Sequence, residues 1–555
     1  HEGKAPLTVK LDDLAAEGAG SSWKAASASA AAVGAMMSGT DPTDLNFNFE
    51  VTGPIDGPSA GAIMTVGALA VLTNTPLKPT VTMTGTISPD GSIGTVAGIA
   101  AKLRAAASNG YETVVLPQTA TTVQPKGEGE RVDTIEYGTS LGLEVILAQN
   151  VSQAFEVFTG KPLFASTSSP YELSQSPALI SAQSQATQAE IQAASSAVAE
   201  ISADDPLRTQ LEEELAAAQG LLTTNENAAF ALAVDVLNQA SRNTAAAKTS
   251  ALISSAGVPT AQQNLLDDIT ADIAQIDALT ARETAQVTSL SASQTLFLPS
   301  ALTWLSYARA VLVSLQSPLK KLNPASETAT QDLITSASII GEQMAGVNYT
   351  FAQNLTMLSA LPPDTVSPTE PVMTHLAGYT DFLIEAGQQN ENYISGAFGI
   401  QPSDLQSMPA GSLLPVISAL SAECSTITAS GTSAARDTAN ASTALSYYAT
   451  TSLLVSSAQA IGIESLGLNE SPSIQQPEMV LSSLNTGADI VTSQASLIFD
   501  KGLQPGFATW STAWGLEAFT TLTARGRAGD GTVIALNEIW FDTVALFMLN
   551  ALQTN

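Results

Sequence analysis

Ser59 stands in Gly57-Pro58-Ser59-Ala60-Gly61, and Lys102 closes the stretch Gly98-Ile99-Ala100-Ala101-Lys102. A serine hydroxyl is a weak nucleophile until a base takes its proton, so the chemistry depends on which base the chain can supply. The two histidines are His1 at the start and His375 in Pro371-Val-Met-Thr-His375-Leu, which leaves a Ser-His-Asp arrangement almost nothing to draw on. A lysine must serve instead. It acts as a base near neutral pH only where desolvation lowers its pKa from ~10.4 to roughly 7–8. Lys102, in the first turns of an Ala-rich helix, meets that demand, whereas Lys78 in Pro76-Leu-Lys78-Pro79 reads as part of a solvated turn.

The elements that must position these groups are legible nearby. From Asn46 to Val51 polar and apolar residues alternate as in a strand, and Gly53 to Pro58 then breaks the pattern. The small, apolar run Ala60 to Leu72 predicts a buried helix. Ser59 therefore falls at a helix N-terminus, where free backbone N–H groups and the positive dipole end can hold an oxyanion. The turn Ser88-Pro-Asp-Gly-Ser92 precedes the lysine helix, and Gly110 to Pro117 reads as the next strand. Alone, Gly-Pro-Ser-Ala-Gly is more often an ordinary tight turn.

Read in register, Asp56 to Pro117 resembles the proteolytic domain of Lon proteases, most closely the secreted, ATPase-free Lon-like serine proteases of archaea. Asp56-Gly57-Pro58-Ser59-Ala60-Gly61 is similar to the family's nucleophile motif, Met83-Thr84-Gly85 to its central strand end, and Gly98 to Lys102 to its lysine motif. The resemblance fades near Phe164. It implies an α+β fold with Ser59 as nucleophile, Lys102 as general base and then general acid, and Thr84 as a hydroxyl orienting the amine. Asp56, Gly57 and Pro58 support the loop. Two departures stand out: Thr84-Gly85-Thr86 replaces the usual Thr-Gly-Glu, and Ala97-Gly98 replaces paired glycines. The missing carboxylate leaves Asp56 as the only acid close to Ser59 in sequence. Relatives of Lon commonly form rings, so a homo-oligomer is expected, built through the helical region or the protease domain.

Composition narrows the partners. The chain has 555 residues, enough for two to four domains. Its net charge of −31 comes from scarce Lys and Arg, 20 against 51 acids, while only 13% of residues are charged. No basic patch could neutralise phosphates, which argues against nucleic acid. One cysteine, Cys424, excludes an intrachain disulfide and reads as a small core residue, and no Cys/His cluster exists for zinc. No cofactor is expected. The Gly-Lys pairs, Gly3-Lys4 and Gly160-Lys161, are not followed by Ser or Thr, so no phosphate loop and no ATP-driven unfoldase is present in this chain. The longest strongly apolar run, Ala60 to Leu72, is too short to span a bilayer, so no transmembrane segment is expected. Low charge, abundant Ala, Ser and Thr, and a start at His1 are read as an exported protein, extracellular or on the cell surface, whose signal segment is already removed. Sequons at Asn150, Asn348, Asn354, Asn440 and Asn469 occur at about the number chance would give.

Beyond Phe164 strand alternation stops and prolines punctuate helix-period segments. The expected organisation is an α+β proteolytic domain over 1–165, a coiled-coil arm over 166–298 and a helical bundle over 299–555. Asp205-Pro206 reads as a helix start, with Leu207, Leu211, Leu215 and Leu222 on one face. Leu266, Ile269, Ile273, Ile276 and Thr280 step as a coiled-coil seam. Phe230 is the only aromatic between 172 and 296, whereas Trp304, Trp510, Trp514 and Trp540 mark a thicker bundle. Two functions compete. One is an ATP-independent serine endopeptidase acting on extended or unfolded polypeptides. The other is an extracellular surface or assembly protein that keeps the protease fold as a scaffold or for self-processing.

Overall fold

The computed structural model describes residues 9–11, 20–40, 45–49, 54–125, 130–164, 171–173, 176–367, 372–398, 413–427, 433–458, 463–465, 473–474 and 477–551. The boundary expected near residue 165, His1 and the Asn469 sequon lie outside them.

The N-terminal part is a mixed α+β domain. Strand β1 (Val9–Leu11) pairs in parallel with β2 (Phe47–Phe49), and α1 (Ser21–Ser38) lies between them in sequence. A single 3-10 turn over Pro58–Ala60 runs into α2 (Gly61–Leu72). There follow β3 (Val81–Met83), the hairpin β4 (Thr86–Ile87) and β5 (Ile93–Gly94), α3 (Ile99–Ser108) and β6 (Thr113–Pro117). A second hairpin, β7 (Thr122–Val123) and β8 (Val132–Asp133), leads through α4 (Thr134–Ser140) to β9 (Glu144–Ala148) and α5 (Val151–Thr159).

Strands β3, β6 and β9 form a parallel sheet in the order β3-β6-β9, with Val81 opposite Thr113 and Thr113 opposite Glu144. Because side chains alternate across a strand, Val114 and Leu116 of β6 pack with Leu103 and Ala106 of α3, while Val115 joins the main core with Val81 and Met83. Covered on both faces, the sheet presents its strand ends as its free polar edge. Those ends are where Thr84, Gln118 and Gln149 stand.

The rest is almost wholly helical: α6 (Pro177–Glu200), α7 (Pro206–Leu221), α8 (Glu226–Ala256), α9 (Val258–Thr284), α10 (Ala292–Lys321), α11 (Ala329–Ala345), α12 (Phe351–Ser359), α13 (Val372–Phe398), α14 (Leu413–Cys424) and α15 (Ala434–Ala458). A short strand pair, β10 (Ile463–Ser465) and β11 (Ser473–Ile474), precedes α16 (Pro477–Asp500), α17 (Gly506–Thr523) and α18 (Ala528–Ala551). Asp205 caps α7 by accepting from Leu207 N at 3.0 Å, and Leu211 and Leu215 are buried against Leu232 and Leu237 of α8.

The stretch expected as an arm does not stand apart. Helix α8 packs against α11 and α17 as well as α6 and α7, and α9 lies against α10, α11 and α15. Ala261, Leu265, Ile269 and Ile276 are its buried stripe, and Leu266 and Ile273 flank it. Small residues permit the close approach: a Cβ on Gly341 of α11 would lie 2.6 Å from Ser241 O of α8. Phe230 meets Trp510 and Trp514 edge-on at 5.6 and 5.3 Å, and truncating a tryptophan buried like these costs about 3–5 kcal/mol.

The two parts share one core. Helix α1 is buried on almost every side, with α2 against it in the domain and α13 and α18 against it from the helical region. Two helices, α10 and α18, exceed the Ala60–Leu72 run and are long and apolar enough to cross a membrane by length and composition. Here 78% and 83% of their apolar windows are covered by neighbouring helices.

Candidate active site

The serine loop is built by backbone constraints. Gly57 has φ 101° and ψ 147°, a left-handed conformation, and a Cβ there would meet nothing within 4 Å, so conformation rather than space calls for glycine. The Gly57 N–H donates to Asp56 Oδ1 at 2.8 Å, and Pro58 has no N–H to give. In the turn that follows, Gly61 N–H bonds back to Pro58 O. Among the described backbone hydrogen bonds Ser59 N–H takes part in none, and it stands at the N-terminus of α2. The Ser59 side chain is half-buried, and among the described hydrogen bonds its hydroxyl takes part in none.

The end of β3 fixes this loop from beneath. Gly85 N–H donates to Ser59 O at 3.0 Å, and Ala62 N–H donates to Gly85 O at 3.1 Å. The Thr84 hydroxyl also donates to Ser59 O, at 3.1 Å. Its proton is therefore committed, and its oxygen can only accept from Lys102 Nζ, 2.9 Å away. That bond uses one N–H of the amine and leaves the lone pair of the neutral form free to face another group. Thr84 is buried and Lys102 half-buried.

Burial is the cause that lowers the Lys102 pKa below the usual lysine value. A carboxylate beside it would act in the opposite direction, and Thr86 occupies the position where a Thr-Gly-Glu pattern has its acid. Asp56 does not fill that role. Its carboxyl lies over Gly20, where a Cβ would come within 2.2 Å of Oδ1, at the N-terminus of α1. Gly20 N–H donates to Ile55 O at 2.8 Å, so Asp56 belongs to the clamp on the loop. Lys78 is remote in role: its amine donates to Val157 O at 2.9 Å, at the C-terminal end of α5.

Two contacts escaped the sequence because they join distant segments. Tyr393 of α13 shares a hydrogen bond with Ser22 of α1 and feels the Asp56 charge, so the helical region reaches the serine loop. Asp90, at the tip of the β4–β5 turn, accepts from Ser92 N at 3.0 Å and Ser92 Oγ at 2.7 Å, and burial pushes its carboxyl up. A Cβ on Gly487 of α16 would lie 2.5 Å from Asp90 Oδ2, so the glycine lets that helix sit on the turn.

Other candidate residues have structural surroundings. His375 and Cys424 are buried, and burial with Glu423 and Glu391 nearby pushes the thiol up to about 12. Asn150 caps α5 by accepting from Gln153 N at 3.0 Å and is buried, as is Asn354; a glycan fits neither. Asn348 is exposed and Asn440 half-buried. Among the described residues no group of three or more His, Cys, Asp or Glu could hold a metal ion.

A family model of the Lon protease (S16) C-terminal proteolytic domain matches residues 1–151. Lon protease 2 of Bacillus subtilis (strain 168) is 39% identical over 74 residues, 13% of this chain and 13% of that protein. The Lon protease of Phenylobacterium zucineum (strain HLK1) is 33% identical over 156 residues, 28% of this chain and 19% of that protein. That of Methanosphaera stadtmanae is 45% identical over 65 residues, 12% of this chain and 8% of that protein. The chain thus spans less than a fifth of the length of each of these curated relatives. Its N-terminal region is homologous to the Lon proteolytic domain at low to moderate identity, which supports a protease-related domain there.

Proposed function

We propose that this chain is a serine endopeptidase that hydrolyses extended or unfolded polypeptides without ATP, with Ser59 as nucleophile and Lys102 as its base. The observation that carries this reading is the hydrogen-bonded series Lys102 Nζ to Thr84 Oγ1 to Ser59 O, with a desolvated amine at one end and the serine loop at the other. In the proposed reaction Ser59 Oγ attacks the peptide carbonyl carbon as Lys102 takes its proton. In this reading Ser59 N–H, at the N-terminus of α2, would steady the oxyanion, and the protonated Lys102 hands its proton to the leaving amine. Water then attacks the ester, with Lys102 again as base, and Ser59 is released.

The lack of a Gly-Lys-Ser/Thr phosphate loop in this chain supports action on substrates that are already unfolded. Export and self-association through the protease domain or the helices belong to the same reading. Val71, a large apolar side chain 79% exposed at the end of α2, marks one face available for assembly. A second reading, a scaffold or self-processing protein, draws on the Ser59 hydroxyl standing outside the described hydrogen bonds.

The test compares wild type with Ser59→Ala and Lys102→Ala on an unfolded protein without ATP, while mass spectrometry reads each chain's own N-terminus. Degradation by wild type alone is the expected result. Three inert proteins with an unprocessed terminus only in the variants would assign the site to self-cleavage, and three identical proteins would leave the fold as a scaffold.

A further inference from the structure

We infer that helix α16 of the helical region completes a subsite for an uncharged, hydrogen-bonding stretch of extended polypeptide, beside the proposed dyad. The inference rests on the peptidase reading above. A groove runs between the sheet's strand ends and α16; its domain wall is the stretch 92–95 with Gln118 and Gln149, and its other wall is Met479, Ser482 and Thr486. Parallel strands in register bring Thr84, Gln118 and Gln149 to one edge, and such an edge is where open α/β sheets bind ligands.

Distance follows from the strand order. Gln118 and Gln149 follow β6 and β9, one and two strands from β3 and two residues further along than Thr84, which puts the groove roughly 8–12 Å from Thr84 at about 4.8 Å per strand and about 3.3 Å per residue. At that rise an extended chain places the groove about three residues from the scissile bond. The connection to the site is direct: a Cβ on Gly85 would come within 2.3 Å of Ile93 Cγ2, and Gly85 N–H holds Ser59 O.

The chemistry of the walls selects the occupant. Their side chains are hydroxyls, amides and two apolar groups, with no Asp, Glu, Lys or Arg among the lining residues. The Thr119 hydroxyl, also at the groove, is buried without a hydrogen-bond partner. A charged substrate residue would lose water there without gaining a counter-charge, whereas Gln, Asn, Ser or Thr would gain partners. Gly487, seated on Asp90, holds α16 at the height that makes the second wall.

The experiment places a charge on that wall. Peptides carrying Gln or Glu about three residues from the cleaved bond are compared on wild type and Ser482→Lys, with matched melting curves showing that both are folded. Wild type should favour Gln, and Ser482→Lys should shift the ratio toward Glu by about threefold, the size of a partly exposed charge pair. An unchanged ratio at that position overturns the subsite. In parallel, Ser59→Ala is irradiated with a Gln-rich peptide bearing a benzoyl-phenylalanine. Adducts on Met479 support the subsite, and labelling confined to other surfaces overturns it. If wild type cleaves no peptide, the peptidase reading fails, and the adduct map still decides the subsite.

Discussion

The proposed site and the core of the helical bundle each bury an ionisable group with no counter-charge against it, but of opposite kinds. At the proposed site the group is Lys102, a base whose loss of water lowers its pKa. In the bundle core the groups are acids. Glu538 of α18, fully buried, accepts from Trp304 Nε1 at 3.1 Å and from the Ser511 hydroxyl, and burial pushes it up to about 7. Asp542, one turn on, is raised by burial and by Glu538 beside it. Glu190 of α6, bonded to the Thr350 hydroxyl at 2.8 Å, is pushed up to about 7 by burial. The same physics therefore pulls in two directions: high pH favours the working form of the base, and low pH favours the buried form of the acids.

The largest effect expected is on the proposed dyad. Ser59→Ala and Lys102→Ala should each lower peptide hydrolysis by about 10⁴-fold, with melting unchanged for Ser59→Ala. In wild type the rate should climb with pH along a limb whose midpoint lies below the usual lysine value. A limb at the ordinary lysine pKa would break the contrast on the domain side.

On the helical side the sign is opposite. Between about 4.5 and about 7 an unfolded chain has released the Glu538 proton while the folded one keeps it, so stability should fall as pH rises through that window and level off above it. The span of roughly 2.5 pKa units corresponds to about 3 kcal/mol for this residue. Glu538→Gln keeps the shape and removes the titration. Denaturant melts from pH 4 to 8 should then show a flatter slope for the variant, and an identical slope would mean that other carboxyls dominate.

Thr84→Val should cost about 30-fold in rate, the scale of one hydrogen bond to a charged group. It removes the acceptor of Lys102 Nζ, which favours the ammonium, so the acid limb should move to lower pH while the plateau falls. Thr84→Ser should restore both. A fall in rate with no movement of the limb would make Thr84 a packing residue.

What was legible in sequence follows the same division. Ser59 and Lys102 could be read because glycines fix their turns locally, Gly57 by its φ and Gly98 as the αL residue before α3, while Thr84 was legible only through the motif resemblance at the end of β3. Helix α1 gave no signal, since an alanine-rich segment buried on nearly all sides has no periodic face. Alanine also explains the arm that packs. It serves a solvent face or a close helix contact equally well, and only the partner, such as Gly341 against Ser241, decides. The α16 groove and the Asp90–Gly487 seat join residues hundreds of positions apart, and no local pattern marks them.

The smallest effect tests whether the two regions communicate at the site or merely touch. Tyr393 is buried on α13 and bonds Ser22 at the start of α1, close to the Asp56 that clamps the serine loop. Tyr393→Phe keeps the ring and deletes that bond, so stability should fall by about 1 kcal/mol. If the contact only joins surfaces, kcat and KM stay within twofold of wild type. If α13 holds the loop in place, kcat falls about threefold at constant KM, and Asp56→Asn in the same background adds little because both act on one clamp. Additive losses in the double variant would separate the two residues. They would return the helical region to the role of a wall beside the site rather than a support beneath it.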